Sequence, residues 1–203
     1  MVKENPGFYL ALLAYAVFNI AIQIFMPYLI LYYTVSLGMD NYVLIFAPAI
    51  LLAAAFTFFY GKQYDKKGFR SAIFAPIIML MAGFAVLYFF KSTVPVFLGT
   101  LVMLCGYLSG MAMFGAIIRD KTPDGKAGMF QGLRIVGQVL VPGVIGPAIG
   151  AAVLKNADTV LNNDGTTSFI PNENIFLAAF IAAVFIWVVL MPLFKNLKKE
   201  KAA

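Results

Sequence analysis

Long apolar runs, separated by short polar segments, dominate the pattern of this sequence. A transmembrane helix needs about 20 mostly apolar residues to cross the hydrocarbon core of a bilayer, which is about 30 Å thick. Six stretches meet this requirement, and the first is too long to be the apolar core of a signal peptide. We therefore predict an all-α polytopic membrane protein, in which residues 1–203 form a single bundle of six transmembrane helices at about residues 7–33, 42–60, 71–90, 94–118, 129–154 and 174–194.

The composition agrees with this interpretation and excludes several classes of protein. Of the 203 residues, 62% are hydrophobic and 12% are charged, whereas soluble domains are about 45–50% apolar and about 25% charged. The chain has no histidine and one cysteine, Cys105, so it cannot form a Ser-His-Asp triad, a Cys-His pair or a typical zinc site. We expect neither an enzyme nor a bound metal or other cofactor, and we expect no nucleic-acid partner despite the net charge of +6.

The positive charges are concentrated at one end of the predicted bundle. The segments at the other end hold only Lys91 and Lys155, together with a polar connection at residues 155–173 that we predict to be an outside loop. Basic loops stay on the cytoplasmic side during insertion. We therefore predict a protein of the plasma (cytoplasmic) membrane with both termini in the cytoplasm. Twelve basic residues support this orientation: Lys3, Lys62, Lys66, Lys67, Arg70, Arg119, Lys121, Lys126, Lys195, Lys198, Lys199 and Lys201.

Three polar side chains follow the helical repeat of the first predicted span. Tyr15, Asn19 and Gln23 are four residues apart, so they lie on one face of a helix. One interpretation is a set of ordinary interhelical hydrogen bonds, which contribute only about 0.6 kcal/mol each on average in membranes. The other, which we favour slightly because two amides share the stripe, is a water-filled cavity that binds a solute.

The fifth predicted span carries a second polar stripe and the only charge inside a span. Gln131, Arg134 and Gln138 have a spacing of three and then four residues, which also places them on one face. An ionisable residue at membrane depth indicates a functional site. The equally strong alternative is that the side chain of Arg134 extends to the nearby headgroups and has no further role.

Proline and glycine are frequent in the same fifth span. Pro142, Gly146, Pro147 and Gly150 all lie within it, and Gly146 and Gly150 form a pair of small residues separated by three others. Such pairs permit close packing of helices, and this is the interpretation that we favour by about two to one. The alternative is a bending element used in alternating access, since kinked helices line transporter cavities.

The connection between the second and third spans contains a recognisable motif. Residues 61–70 fit the pattern Gly-x-x-x-Asp-[Arg/Lys]-x-Gly-x-[Arg/Lys], with Gly61, Asp65, Gly68 and Arg70 at the specified positions. This resembles the cytoplasmic loop motif of the major facilitator superfamily, and it lies between the corresponding spans. The glycines favour a tight turn between antiparallel helices. Asp65 is expected to interact with a helix N-terminus and to pair with its basic neighbours.

Further segments are similar to one family within that superfamily. Residues 119–123, 128–134 and 141–150 look like the tenth and eleventh helices of the glycoside–pentoside–hexuronide:cation symporter (melibiose permease-like) family, and residues 18–28 look like its seventh helix. The resemblance implies the C-terminal six-helix half of a twelve-helix transporter. It also implies a sugar-like solute, a coupling cation (Na+ or H+), and an N-terminal six-helix half as partner within the lipid bilayer.

The resemblance assigns roles to the residues named above. Asn19, Gln23 and Gln138 would line the solute cavity beside Tyr15 and Gln131, with Arg134 at its cytoplasmic end. Asp65, Arg70 and Arg119 would form part of a cytoplasmic gate. No acidic residue lies mid-span, so the carboxylates that bind the cation would belong to the other half. The alternative is a self-associating six-helix protein, either a homodimeric carrier or a non-transporting interaction module.

Overall fold

The computed structural model describes residues 5–123, 125, 127–161 and 165–200, and these residues are mostly helical. Four charged residues of the predicted cytoplasmic termini and loops lie outside the described residues: Lys3, Asp124, Lys126 and Lys201. The helices are α1 Pro6–Phe25, α2 Leu29–Leu31, α3 Val43–Tyr60, α4 Lys62–Ala72, α5 Phe74–Phe89, α6 Thr93–Asp120, α7 Ala127–Ile135, α8 Val141–Val153 and α9 Asn174–Glu200.

Two of the spans contain turns that are not α-helical. A 3-10 turn at Met26–Tyr28, the short α2 and a π-helical turn at Tyr32–Ser36 extend α1, which gives a rod of 31 residues. A second π-helical turn, Val136–Leu140, joins α7 to α8 in a rod of 27 residues. Each rod passes through a proline, Pro27 or Pro142, whose missing N–H group disturbs the regular hydrogen-bond ladder.

Five helical rods are long and apolar enough to cross a membrane, and they coincide with five of the predicted spans. The predicted third span, at about residues 71–90, differs. It corresponds to α5, which is long enough to cross a membrane only together with α4, and the axes of these two helices meet at 74°. Gly68 interrupts α4 with φ 72° and ψ 171°, a conformation that L side chains avoid. Helix α5 itself has only 16 residues, a length of about 24 Å. The outline of an all-α polytopic membrane protein is confirmed.

Both described ends of the chain lie at the same end of the bundle. The Nδ2 atom of Asn5 donates to the carbonyl of Lys121 at 2.6 Å, and the Lys121 ammonium pairs with Glu200. The connection from α3 to α4 lies there too, because Tyr64 contacts Asp120. We call this the basic end. At the distal end, Lys91 pairs with Glu173 at 3.1 Å.

If the bent pair α4–α5 is counted as one rod, the helix packing arranges the bundle as two units of three rods. The first unit consists, in chain order, of the α1 rod, α3 and the α4–α5 pair. The second consists of α6, the α7–α8 rod and α9. We call the first helix of each unit, α1 or α6, its leading helix. The leading helix of each unit packs against the two following spans of the other: α1 contacts α8 and α9, and α6 contacts α3 and α5. Since α1 starts at the basic end and α6 at the distal end, the two units have inverted orientations.

The two leading helices form the centre of the molecule. The most apolar window of α1 is 61% buried and that of α6 is 56% buried, whereas those of α3 and of the α7–α8 rod are each 17% buried. Small residues allow the closest approach to α6: a Cβ atom at Gly83 of α5 would lie only 2.5 Å from Cβ of Met103. The outer faces of α3 and α8 therefore remain apolar and uncovered, as at Leu51 and Val144.

The predicted outside loop contains a β-hairpin. Strand β1, Thr159–Leu161, pairs antiparallel with β2, Thr167–Phe169. Residues 162–164 lie outside the described residues. The Ser36 hydroxyl donates to the carbonyl of Pro171, so the segment after the hairpin is fastened to the distal end of the α1 rod.

Candidate functional site

An intramembrane polar cluster joins α1 to the α7–α8 rod. Arg134 of α7 donates from Nε to Oε1 of Gln138, which belongs to the π-helical turn, at 3.0 Å. The Arg134 guanidinium also lies close enough to the Tyr15 hydroxyl of α1 to act on it electrostatically. Two of the residues predicted from separate spans, Tyr15 and Arg134, are therefore neighbours.

Tyr15 and Asn19 form the buried part of this cluster. They are 1% and 6% exposed, respectively. The Nδ2 group of Asn19 donates to the carbonyl of Tyr15 at 2.9 Å, while the Tyr15 hydroxyl donates to Sδ of Met111 on α6 at 3.2 Å. Met111 and the nearby Tyr107 were not among the predicted site residues. Their apolar sequence context gave no signal, because only the packing of α6 against α1 brings them here.

The direction of the Arg134 side chain distinguishes between its two interpretations. A side chain that reached back to the headgroups would point towards the start of α7, at the basic end. Instead its hydrogen-bond acceptor, Gln138, lies one turn further along the rod. Space on α6 is provided by Gly115, where an added Cβ would lie 3.6 Å from Nη2 of Arg134. The geometry favours an inward, cluster-forming role for this arginine.

Gln23 lies apart from the hydrogen bonds of the cluster, at the contact between α1 and α8. A Cβ atom added to Gly146 would collide with the Cβ and backbone of Gln23. One added to Gly150 would meet the carbonyl of Ile24 and the ring of Tyr28. The tight-packing interpretation of Gly146 and Gly150 is confirmed.

The bending interpretation of the fifth span stays a prediction. The helix is nevertheless irregular near Pro142, where a bend would have to form. The π-helical turn Val136–Leu140 immediately precedes Pro142, the second residue of α8, and Pro147 lies inside α8. Proline removes a backbone donor, and π-helical turns are frequent at functional sites.

Gln131 is separated from the buried amides and lies at the basic end. Together with Arg119, Thr122 and Arg134 it lines a cleft of about 280 Å³. Arg134 therefore has one side towards this cleft and the other towards Tyr15. The predicted polar stripe of the fifth span begins at the mouth of the cleft and continues into the bundle.

The loop motif adopts a different geometry from the one predicted. Gly61 is helical, with φ −50° and ψ −35°, so the tight turn predicted there is wrong; Gly68 supplies the break. Asp65 lies in the first turn of α4, where the helix dipole favours a carboxylate. The expected pairing with basic neighbours is not formed: no ion pair joins Asp65 to a described residue. Arg70 instead lies over the ring of Phe194 at 5.7 Å.

Asp120, at the end of α6, is the carboxylate that organises the basic end. It accepts a hydrogen bond from the Tyr64 hydroxyl at 2.6 Å, and its Oδ1 lies 3.5 Å from Nε of Arg119. Burial and, after it, the neighbouring Asp120 carboxylate raise the pKa of Tyr64. The predicted gate residues Arg70 and Arg119 are thus close to this end of α6, but Asp65 is not the acid between them.

No family model matches the chain, and no curated protein matches it.

The side chains of the polar cluster limit the chemistry that it can perform. Its amides, phenol and guanidinium donate and accept hydrogen bonds without acid–base reactivity at neutral pH. Such groups are suited to binding a polar, uncharged or anionic solute.

Proposed function

We propose that this chain is the C-terminal six-helix half of a major facilitator superfamily transporter, a sugar or glycoside:cation symporter. The observation that carries this proposal is the packing between two inverted three-helix units. The first helix of each unit packs against the other unit, so that α1 contacts α8 and α9, and α6 contacts α3 and α5. Nested inverted repeats of three helices build each six-helix half of these transporters. The loop motif at residues 61–70 and the segments at 119–134 support the same proposal.

In this proposal the polar cluster contributes one wall of the solute site. Asn19, Gln23 and Gln138 would present amides, and Tyr15 and Arg134 would present a hydroxyl and a guanidinium, towards the hydroxyl groups of a sugar. Gln131 would lie at the cytoplasmic entrance. The coupling cation, Na+ or H+, would bind carboxylates of the N-terminal half.

Alternating access would use the irregular parts of the bundle. The π-helical turn before Pro142 supports a bend in the fifth span. At the basic end, Arg70 and Arg119 would form the cytoplasmic gate, with Asp120 holding Tyr64 and Arg119 in place. Asp65 would contribute its charge to the gate from the first turn of α4, without pairing with either arginine in this conformation. The position of these basic residues supports a plasma-membrane protein with cytoplasmic termini.

Reconstitution into proteoliposomes tests this proposal. We expect no accumulation of labelled mono- or disaccharides by the chain alone under an inward Na+ or H+ gradient. We expect its natural form, tagged at the chromosomal locus, to contain or co-purify six further apolar spans with mid-span carboxylates. Gradient-driven uptake by a monomer of this chain alone would overturn the proposal.

Self-association is the second candidate, and one observation favours it. The outer faces of α3 and α8 are uncovered, with Leu51 72% and Val144 67% exposed, so a second copy has apolar surface on which to pack. Crosslinking in lipid distinguishes the candidates: a defined dimer without a second type of half supports a homodimeric carrier or an interaction module. Persistent monomer argues against both.

A further inference from the structure

A second cleft, of about 380 Å³, lies at the basic end between α4, α6 and α9. Its walls carry four cationic side chains, Lys67, Arg70, Lys121 and Lys198. Arg70, Tyr64 and Asp120 of this lining belong to the proposed cytoplasmic gate, but the proposed transport function places no ligand in the cleft itself. The polar cluster and its entrance lie beside α1 and α7.

The positive charge in this cleft is only partly neutralised. Lys121 pairs with Glu200, and the one acidic residue of the lining, Asp120, is already bonded to Tyr64. None of the described carboxylates forms an ion pair with the other three cations, Lys67, Arg70 and Lys198. The cleft therefore has an excess of hydrogen-bond donors and positive charge that suits an anion.

The floor of the cleft is apolar and continues along the side of the bundle. Phe69 is 4% exposed, and Phe194 lies beneath the Arg70 guanidinium. The ring of Phe74 stacks on Phe194 at 5.7 Å and contacts Trp187 at 5.0 Å. Phe74 is 41% exposed, so this aromatic strip presents a surface to the surrounding hydrocarbon directly below the cations.

The cleft also lies at the depth of lipid headgroups. Helix α9 has 27 residues, a length of about 40 Å, which exceeds the hydrocarbon core by about 10 Å. Its basic last turns, with Lys198, therefore extend into the headgroup region. Basic pockets between transmembrane helices at this level bind anionic lipid headgroups.

We propose that the cleft between α4, α6 and α9 binds the phosphate of an anionic phospholipid, with Lys67, Arg70 and Lys198 around the phosphate and the acyl chains along Phe74 and Trp187. The proposal requires only that the bundle is inserted in a bilayer. It is independent of the solute that the protein transports and of any partner.

Quenching of Trp187 tests the proposal directly, because it is the only tryptophan in the chain. The purified full chain in mixed micelles is titrated with phosphatidylglycerol brominated on its acyl chains, since bromine quenches tryptophan at short range. The test variant is Lys67→Gln with Lys198→Gln. The matched control, Lys66→Gln with Lys195→Gln, removes the same charge from exposed positions of the same helices outside the cleft lining.

We expect saturable quenching by brominated phosphatidylglycerol and an apparent Kd raised roughly 25-fold in the test variant, or about fivefold for each lysine. The control should change the Kd less than about threefold on the same scale. An equal loss in both variants would indicate diffuse attraction and overturn the proposal. Equal quenching by brominated phosphatidylcholine, or displacement of the lipid by millimolar inorganic phosphate, would overturn it as well.

Discussion

Arg134 and Gln138 lie one turn apart in the α7–α8 rod, and the Nε atom of Arg134 donates to Oε1 of Gln138 at 3.0 Å. The acceptor is the residue further from the basic end. A membrane arginine that serves only to reach the headgroups has no need of such a partner. The hydrogen bond therefore connects a charged group with the π-helical turn in the middle of the span.

Gln138→Leu removes this acceptor and keeps the side-chain size. We expect the free energy of unfolding to fall by about 1 kcal/mol, because a partly buried cation loses a hydrogen bond. Thermal unfolding in lipid nanodiscs measures the effect. The control is Val139→Leu, at the exposed neighbouring position. Equal melting temperatures for both variants would support the interpretation in which Arg134 only extends to the headgroups.

Gly146→Ala tests the close contact between α8 and α1. The added Cβ collides with Gln23, so we expect a loss of about 1–3 kcal/mol in stability from overpacking. Gly143→Ala is the matched control, because no atom lies within 4 Å of a Cβ at that position of the same helix. Melting curves of the detergent-solubilised protein should separate the two variants. If the control were destabilised as strongly, helix flexibility rather than packing would explain the glycines.

The local parts of the fold were predictable from the sequence, and the reason is physical. Apolar length predicts a span because the bilayer leaves no other way to satisfy the backbone, and five spans are confirmed. A spacing of four residues places Tyr15 beside Asn19 and Arg134 beside Gln138 on their own helices. The turn-rich sequence before Gly165, between short β-prone segments, is also typical of a hairpin, a feature that the prediction of an outside loop does not include.

The remaining parts depend on which helices meet, and periodicity carries no such information. Tyr64 and Asp120 are 56 residues apart, and only the packing of α4 against α6 joins them. The same holds for Met111 beneath Tyr15. The motif directed attention to Asp65, whereas tertiary packing places Asp120 against the tyrosine. The bend at Gly68 similarly follows from a positive φ that the motif permits but does not require.

The orientation of the protein is testable with its single cysteine. Cys105 is buried, at 6% exposure, so a Cys105→Ala background should fold and remain unlabelled by maleimides. We expect a membrane-impermeant maleimide to label Lys155→Cys in intact cells, because that residue lies at the distal end. Lys66→Cys at the basic end should react only after permeabilisation. The reverse pattern would contradict the prediction of cytoplasmic termini.

The ion pair between Lys91 and Glu173 at the distal end should make the stability of the protein depend on pH. A hydrogen bond from its own backbone N–H and, to a smaller extent, Lys91 at 3.1 Å lower the pKa of Glu173 from its usual value, against the opposing effect of burial. Since the folded-state pKa is the lower one, the stabilisation is complete at neutral pH and is lost as the pH falls from about 5 through the folded-state value.

The pair is largely exposed, so its contribution is at most about 1 kcal/mol. Glu173→Gln should therefore lower the melting temperature more at pH 7 than at pH 3, and Asp158→Asn is the control for loss of a loop carboxylate. An unchanged difference between wild type and Glu173→Gln across this range would show that the carboxylate charge does not fasten α9 to the connection between α5 and α6.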